Sequence, residues 1–144
     1  MLPLIYSPAM SGGRDQESIE EVARRLSAAT DVSLAIVFGS AAAGKQRADS
    51  DVDIGIVTNV PLSAARRREL VELVADATGR AVDLIDLRTA GVPVTRAALR
   101  TGRVLFSKTR SAWAELLSKT LLDVADFLPY RERILRERRR AWIR

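Results

Sequence analysis

From Val37 to Val57 the chain reads VFGSAAAGKQRADSDVDIGIV, and no other stretch restricts the fold as much. An unbroken apolar run, Leu34 to Phe38, stops at Gly39-Ser40. A run that short, bounded by turn residues, predicts a buried strand. Gly39 to Ser50 is small, polar and glycine-containing, which predicts a loop or a short helical turn. Asp51 to Val57 then alternates, with Val52, Ile54 and Ile56 set against Asp51, Asp53 and Gly55. That alternation is a second strand, and period-2 geometry puts Asp51 and Asp53 side by side on one face.

The flanking segments supply helices and further strands. Ile19, Val22, Ala23 and Leu26 recur at helical spacing over roughly Gln16 to Ala29. Leu62 to Ala77 is a second helix, which Ser63 can cap and Gly79 can end. Ala81 to Leu87 is a third strand, Pro93 to Arg100 a short helix, and Val104 to Phe106 a short fourth strand. A helical stripe follows, with Trp113, Leu116, Leu117, Thr120, Leu121, Val124, Phe127 and Leu128 on one side, a pattern that more often belongs to a core than to an interface. The expected class is α/β (α+β), a small mixed sheet with helices packed on one side. The 144 residues suit one domain, with a core at about 15–108 and a basic helical extension at about 109–144.

Composition excludes several chemistries. The chain has no cysteine and no histidine, so disulfides, thiolate or imidazole metal sites and Cys or His nucleophiles are absent. A metal here needs oxygen ligands, which favours Mg²⁺ or Mn²⁺ over Zn²⁺. The net charge of +5 fits a phosphate-rich ligand or a nucleic acid without choosing between them. No apolar run is long enough to span a membrane, and Met1 to Met10 makes a poor signal peptide, so the expected location is the cytoplasm.

The candidate chemistry lies in Gly39-Ser40, ten intervening residues, then Asp51-x-Asp53. A Gly-Ser pair leaving a strand offers backbone N–H groups and a hydroxyl to phosphate oxygens. Two adjacent carboxylates repel when ionised, and a bound cation relieves them. The third strand adds Asp83 and Asp86, which alternation sends to opposite faces, so at most one joins the pair. Periodicity alone does not decide which. Gly39 to Lys45 also reads G-x-x-x-x-G-K, the opening of a P-loop. Gln46 stands where that motif needs Ser or Thr, and a strand follows instead of a helix, so the P-loop reading is set aside. Arg131 to Arg144 holds seven arginines and two glutamates, which fits a solvated terminal helix, a docking element for an acidic partner or a nucleic-acid contact. No nucleic-acid-binding motif accompanies it.

The Gly39-Ser40, Asp51-x-Asp53 pattern resembles the minimal nucleotidyltransferases of the DNA polymerase β superfamily. Val82-Asp83-Leu84-Ile85 is similar to that family's later strand, which favours Asp83 over Asp86 as third carboxylate. The resemblance covers about Ser33 to Leu87. Ala43 stands where many members carry a loop Arg, with Lys45 and Arg47 close behind. The resemblance implies Asp51, Asp53 and Asp83 as catalytic and Mg²⁺ ligands, and Gly39 and Ser40 as the nucleotide's phosphate seat. It implies transfer of a nucleoside monophosphate, by default AMP from ATP, in a two-metal reaction. A small chain of this kind is similar to the MNT-type antitoxins encoded beside a HEPN-domain ribonuclease toxin. By that resemblance the acceptor is a tyrosine of the toxin, with no direct nucleic-acid binding expected. The alternatives are adenylylation of a small hydroxyl compound such as an aminoglycoside, and a non-catalytic module that neutralises a partner by binding.

Overall fold

A computed structural model describes residues 13–39 and 51–143. The elements run α1 (Gly13–Ala28), β1 (Val32–Phe38), β2 (Val52–Thr58), α2 (Ala64–Thr78), β3 (Val82–Asp86), α3 (Val92–Thr101), β4 (Arg103–Ser107) and α4 (Arg110–Trp142). The sheet order is β3-β2-β1-β4. β1 runs antiparallel to both β2 and β4, while β2 and β3 are parallel. The parallel pair needs a crossover, and α2 supplies it. The expected class therefore holds, with each expected strand and helix present.

One expectation is corrected: the helices cover both faces of the sheet, not one. Val22 and Leu26 of α1 and Leu70 and Val74 of α2 pack with Ala35, Val37, Ile54 and Ile56. On the other face Leu34, Ile36 and Phe38 pack with Ala98 of α3 and Leu116 of α4. The reason is in β1 itself, where Leu34 to Val37 are all fully buried. An apolar strand with no polar alternation has two faces to cover. A register shift between Val32 and Leu34 also puts Val32 and Leu34 into different clusters, as a bulge does when it adds a residue to one strand.

Local signals explain the ends of α2. The Ser63 hydroxyl accepts a hydrogen bond from the Arg66 N–H at 3.1 Å, satisfying an amide that the helix leaves open. At the other end Gly79 takes φ +66°, a left-handed turn that glycine adopts without strain. Arg66 then grips Asp31, just ahead of β1, through two hydrogen bonds of 2.9 and 2.8 Å. That guanidinium holds the Asp31 carboxyl below its ordinary range. Arg67 of α2 donates to the Leu84 carbonyl of β3, tying the crossover helix to the strand it leads into.

The long α4 departs from expectation over most of its length. Only Leu116 and Thr120 of this helix are buried. Leu117 and Leu121, placed on the expected core stripe, are 37 % and 61 % exposed. Helical periodicity marks an apolar face but does not say what covers it, and the sheet face beneath α4 is already shared with α3.

Removal of the cap tests the local account of α2. Ser63→Ala should cost about 1 kcal/mol, read as a lower urea midpoint with an unchanged slope. An unchanged midpoint would show that the cap does not hold α2.

Candidate active site

The β1–β2 ladder pairs Phe38 with Asp53, so the residue that leaves β1 lies beside that carboxylate. That residue is Gly39, at φ +71°. A Cβ built on it would stand 2.3 Å from Asp53 Oδ2. Glycine is thus required twice, by the left-handed backbone and by the space that the carboxylate occupies. Ser40, with Ala43, Lys45 and Arg47, lies outside the described residues.

The parallel β2–β3 ladder sets Asp83, and not Asp86, beside Asp53. Asp53 pairs with Asp83, and their neighbours Ile54 and Leu84 pair in turn. Residues in register on adjacent strands share a face, so Asp83 stands next to Asp53. Asp86 pairs with Ile56, three residues further along. Its carboxylate accepts the Arg88 N–H at 2.9 Å and its carbonyl the Ala90 N–H at 2.9 Å, so it shapes the turn after β3. Asp51 is exposed and directly precedes β2, which begins at Val52, one residue later than expected.

Burial and the nearby charges of Asp83 and Asp51 push the Asp53 carboxyl above its ordinary range. Setting these carboxylates together therefore works against stability. As placed, no three acidic side chains among the described residues form a ready-made metal-ligand group. The donor set still suits a hard divalent ion, because it is all carboxylate oxygen and carries a repulsion that a cation relieves. Asp51 and Asp83 are both exposed, so their side chains have room to turn toward Asp53.

Sequence reasoning passed over Gly55 and Leu87. Gly55 lies two residues beyond Asp53 on the same face, and a Cβ there would come within 2.8 Å of the Leu87 side chain. Leu87 is 1 % exposed and fills the space that the missing Gly55 side chain leaves. A glycine between the β-branched Ile54 and Ile56 was the available signal, since it marks a close approach. A cavity of about 720 Å³ lies elsewhere, at the opposite end of the sheet, lined by residues such as Ser33, Thr58, Asn59, Arg88 and Thr109. None of the three aspartates borders it.

Two outcomes follow from this geometry. Gly39→Ala should be destabilised by about 1 kcal/mol or more, since it strains the backbone and displaces the Asp53 carboxylate. A chemical-denaturation midpoint equal to that of the parent chain would refute the close approach. For Asp53 the folded-state pKa is raised, so its contribution to stability is full below the unfolded carboxylate range and is lost as pH rises through the folded value. In EDTA, Asp53→Asn should therefore raise the Tm at neutral pH, with the gain fading toward about pH 3. A gain that grew on acidification would contradict the assigned repulsion.

The geometry can be set beside known proteins. The family described as polymerase beta, nucleotidyltransferase, matches residues 19–111. The protein adenylyltransferase MntA of Shewanella oneidensis is 34 % identical over 73 residues, 51 % of this chain and 52 % of that protein. The chain thus spans about half the length of that curated relative. A crystal structure of a toxin-antitoxin with AMP-PNP is similar at a TM-score of 0.70 and 25 % identity, over 85 % of this chain and 96 % of the other. A chain in the complex of tri-AMPylated Shewanella oneidensis HEPN toxin with MNT antitoxin superposes at a TM-score of 0.70 and 23 % identity, over 85 % and 97 %. At that identity the second likeness speaks for the fold alone. With the match running through β1, β2 and β3, where Gly39, Asp53 and Asp83 meet, the chain belongs to the polymerase beta nucleotidyltransferase family.

Proposed function

We propose that the chain is a Mg²⁺-dependent protein adenylyltransferase, an antitoxin that moves AMP from ATP to a tyrosine hydroxyl of a HEPN ribonuclease toxin. The observation that carries this reading is the in-register pair Asp53 and Asp83 beside Gly39, in a chain related to a protein adenylyltransferase. The toxin-antitoxin structure with AMP-PNP supports an ATP-like substrate. Among the described residues no helix is long and apolar enough to cross a membrane, which is compatible with work in the cytoplasm, where ATP is abundant.

In this reading each residue has a distinct task. Gly39 and Ser40 seat the β- and γ-phosphates through backbone N–H groups and a hydroxyl. Asp51, Asp53 and Asp83 hold Mg²⁺, and the bound metal supplies positive charge to the phosphate oxygens. Asp83 takes the proton of the attacking hydroxyl, being an exposed carboxylate at the rim of the site. The hydroxyl oxygen bonds to the α-phosphorus, the bond from that phosphorus to the bridging oxygen breaks, and pyrophosphate leaves with the electron pair. Leu87 and Ile85 keep the inner side of the carboxylates apolar, which strengthens electrostatic contacts there.

The test is label transfer from α-³²P-ATP with Mg²⁺, offering the purified HEPN-domain protein encoded beside this chain as acceptor. Label should appear on that protein and vanish with Asp51→Ala/Asp53→Ala. Label on an added aminoglycoside, with none on the protein, would move the acceptor to a small hydroxyl compound. Binding of the partner with no label on either would leave neutralisation by complex formation.

A further inference from the structure

The surface that the active site leaves unexplained is the second half of α4. Beyond Thr120 no residue of this helix is buried. Residues 121–142 extend for about 33 Å at the helical rise. Within them Leu121, Leu128, Leu135 and Trp142 recur every seven residues, and so share one seam of the helix. Leu121, Leu135 and Trp142 are 61 %, 49 % and 92 % exposed. A solvated terminal helix has no reason to repeat leucine at this period, and large apolar patches left open mark interaction surfaces.

The intervening seam positions change character along the helix. They run Leu117, Val124, Arg131 and Arg138, apolar near the body and cationic toward the end. No ion pair engages Arg131 or Arg138 among the described residues; the ion pair within α4 joins Lys119 to Asp123. Both arginines are exposed.

These two features together identify the occupant. A second copy in parallel would set Arg131 against Arg131 and Arg138 against Arg138, and like charges in a seam oppose pairing. An antiparallel copy would set these guanidinium groups against leucine, a costly place for a charge. A nucleic acid would meet the arginines but offers nothing apolar to Leu121, Leu128 and Leu135. We propose that residues 117–142 of α4 form a docking arm for a helical surface of a partner protein, with an apolar seam flanked by carboxylates that meet Arg131 and Arg138. This rests on the reading above that the chain acts on a protein, and it assigns the surface that holds that protein.

Calorimetric titration of the full chain with the HEPN-domain protein encoded beside it tests the arm. Leu135→Glu/Trp142→Glu breaks the seam, and Arg131→Glu/Arg138→Glu reverses the charge. Both pairs lie outside the core, so circular dichroism and Tm should match the parent chain. Each should weaken partner binding about tenfold or more and leave AMP-PNP binding unchanged. Asp51→Ala/Asp53→Ala should bind the partner as the parent chain does. Parent-like partner affinity in both arm variants would overturn the arm while leaving the protein-acceptor reading intact. No binding by the parent chain would sink the protein-acceptor reading, and the arm with it. A chain dimer abolished by Leu135→Glu/Trp142→Glu, or RNA binding abolished by Arg131→Glu/Arg138→Glu with partner affinity unchanged, would also overturn it.

Discussion

The pairing of Phe38 with Asp53 is the constraint on which the site depends. It fixes where β1 ends relative to β2, and so puts Gly39 against the carboxylate. The same ladder pairs Ile36 with Gly55, whose missing side chain leaves room for Leu87. A shift of one residue would turn Asp53 into the cluster formed by Ile54 and Ile56, where an ionised carboxylate has no partner. The apolar side chains on both faces of β1 therefore hold register as well as stability. Burying Leu34, Ile36 and Phe38 on one face and Ala35 and Val37 on the other leaves one alignment that satisfies both.

Charge at the site works against the fold that carries it. Asp53 is partly buried beside two other acids, and its carboxyl resists ionisation as a result. A protein selected for stability alone would place an amide there. Stability is recovered elsewhere, through the Ser63 cap, the Arg66 grip on Asp31 and the two packed faces of the sheet. Repulsion concentrated at one end of a well-packed sheet is the cost of setting three carboxylates together there.

Much of this was legible in the residues, and the remainder shows what one-dimensional patterns lack. Ser63 and Gly79 announced the ends of α2 because capping is local chemistry. Asp51 and Asp53 were legible as a pair because alternation along one strand is also local. Periodicity within β3 could not choose between Asp83 and Asp86; the family resemblance favoured Asp83, and the register between two strands sets it beside Asp53. The second layer of helices was implied by the unbroken run Leu34 to Phe38, yet the expected one-sided packing overlooked it. The exposure of α4 was not legible, since Leu121 has the same spacing in a core as on an open arm.

β3 carries Asp83 and lies at the edge of the sheet. Among the described residues no further strand lies beyond its outer side, which leaves that side of the sheet an open shelf. A shelf admits a bulky, folded acceptor as easily as a free small molecule. It also gives the reaction centre little means of choosing between them by shape. On the adenylyltransferase reading proposed above, selectivity comes from how the acceptor is held at a distance more than from the carboxylate shelf.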